Sequence, residues 1–486
     1  MTQLSSLVRL LAFSLVPLCA MRVSGLDAAW LESEVDYLAS LGSRRTGSPT
    51  HNKLIDHIQQ ELESLGLEVQ SQTLKFDYDK TSSLTPGRLS IDSKEIHVSS
   101  AVPYSGHTPE DGVTSKLVTL ISPTNQPDWS RAAGKIAVLN ITNTPFDAAG
   151  TLPLWEGSPA WGPADTGVPS TPANAIVAGL EKAREAGVKG IVYCWENITD
   201  VLASRVYAPF HNPWFGIPAV FVSGEDALAV RLASDSDAEA TLTLTGELVP
   251  DTPTRSIWAV IPGTEKPEES ILLSTHTDGT NLVEENGHIA ILSYAKTLAK
   301  SPPKRTHILL FVTAHIHSAP FSNTKRSTTR WLLDHPEVWN GTSPAVFATC
   351  VEHLGAVAWE ENIQENTYQS THKPHEDLLY VATKELAALL YKHWDGAVPG
   401  LTRAVNPSAG SQAQLGEGLP LLQAGIPEIS LITIVSWLLN EFDDGFDERQ
   451  LIDVEAAKRQ VESFEKLWKA ADGLKKEDFG VIVPKK

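Results

Sequence analysis

Apolar residues recur at helical spacing near the start of the chain. Leu26, Trp30, Leu31, Val35, Leu38 and Leu41 fall on one face and Gly42 follows as a stop. A second helical run carries Leu54, Ile55, Ile58, Leu62 and Leu65 to Gly66, with the turn Arg45-Thr46-Gly47-Ser48-Pro49 between the two, and Leu67 to Phe76 then reads as a strand. From about residue 96 the texture changes to short β-branched runs set apart by Pro, Gly, Asn and Asp. Strands are expected at Gly134–Leu139, Gly190–Trp195 and Ile217–Val222, a helix from Pro172 to Ala186, and a long surface loop from Pro145 to Pro172. From about residue 252 strand and helix alternate. Ile257–Ile261, Ile271–Ser274, Ile308–Thr313 and Val346–Val351 are strands and Ile289–Leu298 a helix, and a last helix carries Val454, Ala457, Val461, Phe464, Leu467, Trp468 and Ala471. Such alternation predicts an α/β fold with a mainly parallel mixed sheet covered by helices.

The first residues read as an address. Arg9 precedes the apolar run Leu10 to Ala20, which is the length of a signal-peptide core, with Ala20 and Gly25 as cleavage points. Residues 1–25 are therefore expected to be removed and the protein secreted. No later run has the apolar length of a membrane span, and acceptor sequons at Asn140, Asn197 and Asn340 suit a secreted glycoprotein. The 486 residues allow two or three domains, and 39 basic against 59 acidic residues give a net charge of −20, which disfavours nucleic acid as a partner. Beyond the leader only Cys194 and Cys350 remain, read as buried free thiols.

Polar clusters stand at the ends of the predicted strands. Ser274-Thr275-His276-Thr277-Asp278-Gly279 closes the first; the carboxyl ends of strands face the ligand crevice of such a sheet, so His276 and Asp278 there suit a metal ligand and the group that orients it. Glu284-Glu285-Asn286-Gly287 opens the following helix, where carboxylates either cap it or bridge metals. His315 and His317 follow the next strand and, at strand spacing, point the same way as ligands, bases or structural imidazoles. Cys350-Val351-Glu352-His353 ends another. Four clusters at successive strand ends carry more weight than any one.

With Arg45-x-Gly47-Ser48-Pro49, Leu65-Gly66-Leu67, Thr275-His276-x-Asp278, Glu285-Asn286-Gly287 and Gly425-Ile426-Pro427, the chain resembles the co-catalytic zinc aminopeptidase and glutamate carboxypeptidase family. Gly134-Lys135-Ile136-Ala137-Val138 and Ala186-Gly187-Val188-Lys189-Gly190-Ile191-Val192 are similar to the protease-associated (PA) domain that many members carry. The resemblance implies a zinc-exopeptidase-like domain of residues 26–95 and 252–480, helices on both faces of its sheet, and a PA insert of residues 96–251. It implies one or two zinc ions, with His276 as ligand, Asp278 as its orienting acid, Glu284 or Glu285 near the bridging acid, and Glu352 near a later ligand. Three departures stand out. His315-Ile316-His317 replaces the tandem Glu pair, the stretch 432–443 holds Trp437 and no terminal His, and the bridging Asp is a Glu.

The expected set is therefore Asp278 and His315 for catalysis and His276, Glu285, Glu352 and His315 for metal. His315 substitutes for the lost glutamate as base or ligand. The function this implies is a secreted zinc-peptidase-like hydrolase of peptide or other amide bonds with a rearranged, partly degenerate site. The alternatives are an inactive peptidase-like binding protein and a metal-free enzyme on the same fold.

Overall fold

The computed structural model describes residues 26–482 apart from 82–83, 86, 122–126, 163–167, 170–178, 322–325, 408–413 and 444, so the leader lies outside the described residues. Both expected N-terminal helices form. In Ala28–Leu41 the Asp27 side chain accepts from the backbone of Ala29 and Trp30, and Gly42 ends the helix at φ 63°. In Pro49–Ser64, Ser48 caps the His51 N–H and Pro49 supplies a preset first turn.

The central sheet runs in the order Val69–Asp79, Leu248–Ile261, Arg305–Val312, Lys266–His276, Ala345–Cys350. The two pairs from Val69–Asp79 through Leu248–Ile261 to Arg305–Val312 are antiparallel, and the two pairs that Lys266–His276 makes are parallel. Parallel bridges Ala348–Glu428 and Val351–Leu431 carry it on into the strands Ile429–Ile432, Leu378–Val381 and Arg403–Val405. Alternation along each strand sorts side chains to two faces. Ile257, Leu273, Leu309 and Phe311 pack with residues of the helices Ala28–Leu41, Pro49–Ser64, His288–Lys300 and Val454–Gly473. Trp258, Leu272, Leu310 and Val312 pack with Trp331 and Leu332 of Ser327–Asp334 and with Leu421. The sheet is thus covered on both faces, and the apolar runs of its central strands are what burial on both sides requires.

A second sheet has the order Lys94–Ile96, Arg88–Ile91, Glu239–Thr243, Val113–Thr119, Ile136–Thr142, Gly190–Glu196, Ala219–Ser223, Ser100–Ala101. Residues 88–96 hydrogen-bond into this sheet, and the long strand Leu248–Ile261 begins upstream of residue 252. The stretch expected as one loop from Pro145 holds the helix Ala148–Thr151 and a two-residue ladder, Pro145–Phe146 with Val168–Pro169. The helix expected from Pro172 is described only as Leu180–Glu185. Cys194 and Cys350 are both buried and unbridged.

A segment of the second module reaches the loops that follow the strands Arg305–Val312 and Ile429–Ile432. Val206 bridges to Asn440 and Phe210 to His317, and the Ser318 N–H donates to the Phe210 carbonyl at 2.9 Å. Among the described residues no helix is long and apolar enough to cross a membrane.

Candidate metal centre

The parallel register of the central strands brings their carboxyl ends level. His276 lies beside Val312 on one side, and Ser274 beside Cys350 on the other, so the residues that follow each strand converge. Gly279 and Gly416 make the convergence close: a Cβ on Gly279 would run into the Glu284 and Glu285 carboxylates, and one on Gly416 into that of Glu352. Ligand-type atoms of His276, Glu284 and His353, all buried, lie within 4.8 Å of one another.

His276 is set up as a ligand. Its Nδ1 sits 3.0 Å from the Asp278 carbonyl oxygen, to which it donates, leaving the lone pair on Nε2, which is buried and unpartnered among the described residues. Burial, and then the neighbouring His315 and His353, hold its pKa well below the ordinary imidazole value, so the ring is neutral. Glu284 reaches both imidazoles, with Oε2 3.8 Å from His276 Nδ1 and Oε1 3.7 Å from His315 Nε2. The two rings stack at 4.1 Å between centroids. Burial, and then the charges of Glu285, Asp278 and Glu352, push the Glu284 carboxyl well above its usual range, which a bound cation would reverse.

His353 has the opposite tautomer. Its Nδ1 accepts the Thr433 N–H at 3.0 Å, so in the neutral ring the proton is on Nε2. Burial, and then His315, hold its pKa down at about 3. It offers the cluster a neutral N–H donor, not a lone pair.

Two hydrogen-bonded pairs flank these groups. Arg44, fully buried, donates through Nε to Glu285 Oε1. Burial pushes the Glu285 carboxyl up to about 7 against the pull of Arg44. Glu417 accepts from His315 Nδ1 at 2.7 Å and from the Thr328 N–H at 2.8 Å, and its own N–H donates to Glu352 Oε1 at 2.6 Å. Burial works against the charge of Glu417, but the His315 hydrogen bond and charge, with Arg326 and the Thr328 N–H, together outweigh it and hold the carboxyl at about 2; burial lowers His315, but the Glu417 hydrogen bond and the neighbouring carboxylates together raise it. Burial raises Glu352, whose Oε1 also accepts the Cys350 thiol at 3.2 Å.

Of the sequence-predicted residues, His276, His315 and Glu352 come together here. Glu285 turns instead to Arg44, and its neighbour Glu284 faces the imidazoles. Asp278 orients His276 through its main-chain carbonyl. Its carboxylate accepts from Thr46 Oγ1 at 2.5 Å and from the backbone N–H groups of His315 and Ile316 at 3.1 and 3.0 Å, tying down the loop that carries His315. His315 and His317 do not point the same way. The strand ends at Val312 and Ala314 turns through φ 68°, so strand alternation no longer holds. His317 stacks on Tyr104 at 3.6 Å and bonds the Asn212 carbonyl at 2.9 Å through Nε2. Arg44 and Glu417 carried no sequence signal, one lying just before the Arg45–Pro49 turn and the other between two glycines of a loop.

The donor set fits zinc. His276 Nε2, Glu284 Oε2, Glu285 Oε2 and Glu352 Oε2 are buried without a hydrogen-bond partner among the described residues. A buried polar atom left unsatisfied costs roughly 1–3 kcal/mol, and neutral imidazole with carboxylate oxygen is a common zinc ligand set.

No family model and no curated sequence matches the chain. Solved structures do. A zinc aminopeptidase from Bacillus subtilis aligns with a TM-score of 0.63 at 16% identity, covering 94% of this chain and 98% of that one. The aminopeptidase of Aneurinibacillus sp. strain AM-1 gives 0.60 at 15% identity over 92% and 94%. The peptidase M28 precursor of Shewanella amazonensis SB2B gives 0.61 at 18% identity over 92% and 95%. The chain shares the fold of these three structures.

Proposed function

We propose that the chain is a secreted, zinc-dependent hydrolase of peptide or other amide bonds, working at a metal centre rearranged from that of the proteins whose fold it shares. The observation that carries this reading is the gathering of buried ligand-type atoms of His276, Glu284 and His353 within 4.8 Å of one another at the carboxyl ends of the parallel strands, with an unpartnered oxygen of Glu352 3.8 Å from His353 Nε2. His276, Glu284 and Glu352 would hold the zinc, which when bound polarises the carbonyl of the scissile amide.

His315 stands at the open side, its side chain 12% exposed while those of His276 and Glu284 are buried. With Nδ1–H fixed on Glu417, its Nε2 takes the proton of the attacking water and returns it to the leaving amine, a service worth about 10²–10⁴-fold in rate. The neutral His353 Nε2–H donates to the oxygen on which negative charge develops. Phe210 of the second module, read as the PA insert, lies edge-on to His315 at 5.8 Å and sets the size of the group admitted. Secretion rests on the leader at residues 1–25 and on exposed asparagines at the sequons Asn140, Asn197 and Asn340. Sequencing the mature N-terminus after secretion tests it; a retained residue 1 contradicts it.

A panel of aminoacyl anilides, dipeptides and simple amides, assayed with zinc and with chelator, tests the activity. Chelator-sensitive turnover lost by about 100-fold or more in His315→Ala is the expected result. Full activity in His315→Ala removes its role as base, and no turnover by the zinc-loaded wild type turns the reading to a binding protein.

A further inference from the structure

The loop that carries His315 is held from two sides. On one side the Asp278 carboxylate accepts the backbone N–H groups of His315 and Ile316. On the other, the second module grips the residues that follow. The Ser318 and Ala319 N–H groups both donate to the Phe210 carbonyl, at 2.9 and 3.2 Å, and the Ser318 hydroxyl lies 2.9 Å from His211 Nδ1. His317 makes the deepest contact. Its buried ring stacks on Tyr104 at 3.6 Å between centroids and meets Phe76 of the central sheet edge-on at 5.7 Å, while Nε2 donates to the Asn212 carbonyl at 2.9 Å. Asn212 is fixed in turn, because its Nδ2 donates at 3.1 Å to the carbonyl of Pro103, the residue before Tyr104.

The backbone is strained on both sides of this contact. Ala314 turns through φ 68° immediately before His315, and Phe210 stands at φ 35° where it bridges to His317. Neither is a glycine, and such conformations persist only where the surrounding contacts fix them. The residue type at 317 points the same way. Burial holds its pKa down at about 4, so the ring is neutral with its proton on Nε2, and Nδ1 is left buried without a partner among the described residues. A phenyl ring would fill the slot without that unpaired atom. What the imidazole adds is the N–H that it places on the Asn212 carbonyl.

We propose that His317 is a positioning residue for His315: it locks the loop into the second module, which thereby sets where the base stands. This rests on the zinc-hydrolase reading above, with His315 as its base, and makes the second module part of the catalytic arrangement. His317 acts on the reaction only through His315, because its own polar contact goes to Asn212.

The test is a double-mutant cycle on the zinc-loaded full-length protein with an aminoacyl 4-nitroanilide as substrate. His317→Phe keeps a ring and removes the donor, so kcat should fall about 10²-fold, with KM and the zinc content by elemental mass spectrometry unchanged. His317→Gln, whose amide N–H takes the place of Nε2–H, should recover most of kcat. In the His315→Ala background, His317→Phe should cost less than about 2-fold more, since nothing is left for it to position. Because a changed slot can unfold His317→Phe, Tyr104→Leu, which weakens the same lock from the second module, is carried through the same cycle with the same expectation. An unchanged kcat in the folded variants, a loss carried by KM, or an equal loss in the wild-type and His315→Ala backgrounds overturns the proposal while leaving the hydrolase reading intact. No turnover by the zinc-loaded wild type overturns the hydrolase reading and this inference with it.

Discussion

Glu428 is buried at the edge of the strand Ile429–Ile432, where its backbone carbonyl accepts from Ala382 and its carboxyl meets the Ser430 hydroxyl. Burial, only partly offset by that hydroxyl, raises its pKa from the ordinary 4.5 to about 8. The folded state therefore keeps a proton that the unfolded chain loses above pH 4.5, and linkage makes stability fall as pH rises from there to 8 and then level off. At pH 7 the gap is about 2.5 pH units above the unfolded pKa, or roughly 3 kcal/mol at about 1.4 kcal/mol per unit. Glu428→Gln keeps the shape, still accepts from Ser430 and has no proton to lose. For a chain of 486 residues, unfolding entropy scales to about 1 kcal/mol per degree, so the variant should melt about 3 °C above the wild type at pH 7–8. At pH 5 the two should nearly coincide. Scanning calorimetry of both proteins between pH 5 and 9 makes the comparison. A shift equal at pH 5 and pH 8, or a variant less stable at pH 8, would refute the argument, because either means that Glu428 is ionised in the fold or needed as an acid.

Other consequences are as specific. Glu417→Gln removes the charge that holds His315 Nδ1–H, so kcat should fall about 10²-fold with KM little changed; an unaltered kcat separates the pair from catalysis. Gly279→Ala places a methyl against both the Glu284 and Glu285 carboxylates, so the variant should lose zinc in a metal assay and melt several degrees lower, and normal zinc content would show that the turn yields. Burial alone would raise Glu34, but the imidazoles of His288 and His57 hold it at about 2. Its contribution is therefore present above pH 4.5 and lost as pH falls towards 2. Glu34→Gln should flatten the acid limb of an unfolding curve, and an unchanged limb would exclude it as a source of acid lability.

The sheet was legible because its central strands are buried on both faces and so read as unbroken apolar runs: Ile308 to Val312 could hardly be anything else. The strand-end residues His276, His315 and Glu352 followed from the same logic, since parallel strands bring their carboxyl ends to one place. What could not be read is which of two adjacent acids turns inward. Glu284 and Glu285 look alike locally, and the choice is made by Arg44, 241 positions away from Glu285. Glu417 is likewise 102 positions from His315. The expected pairing of His315 with His317 failed for a local reason: alternation holds only while the chain is extended, and Ala314 breaks it. The role of Asp278 was half legible, because sequence shows an acid beside His276 but not that its carbonyl, and not its carboxylate, accepts from the ring.

The most direct test of the metal centre is an anomalous difference map at the zinc edge from crystals of the protein grown with zinc. A peak about 2.0–2.2 Å from His276 Nε2 and from a Glu284 carboxylate oxygen, absent in His276→Ala, is the expected result. A map with no peak between His276 and Glu284 in the zinc-grown wild type would contradict the account.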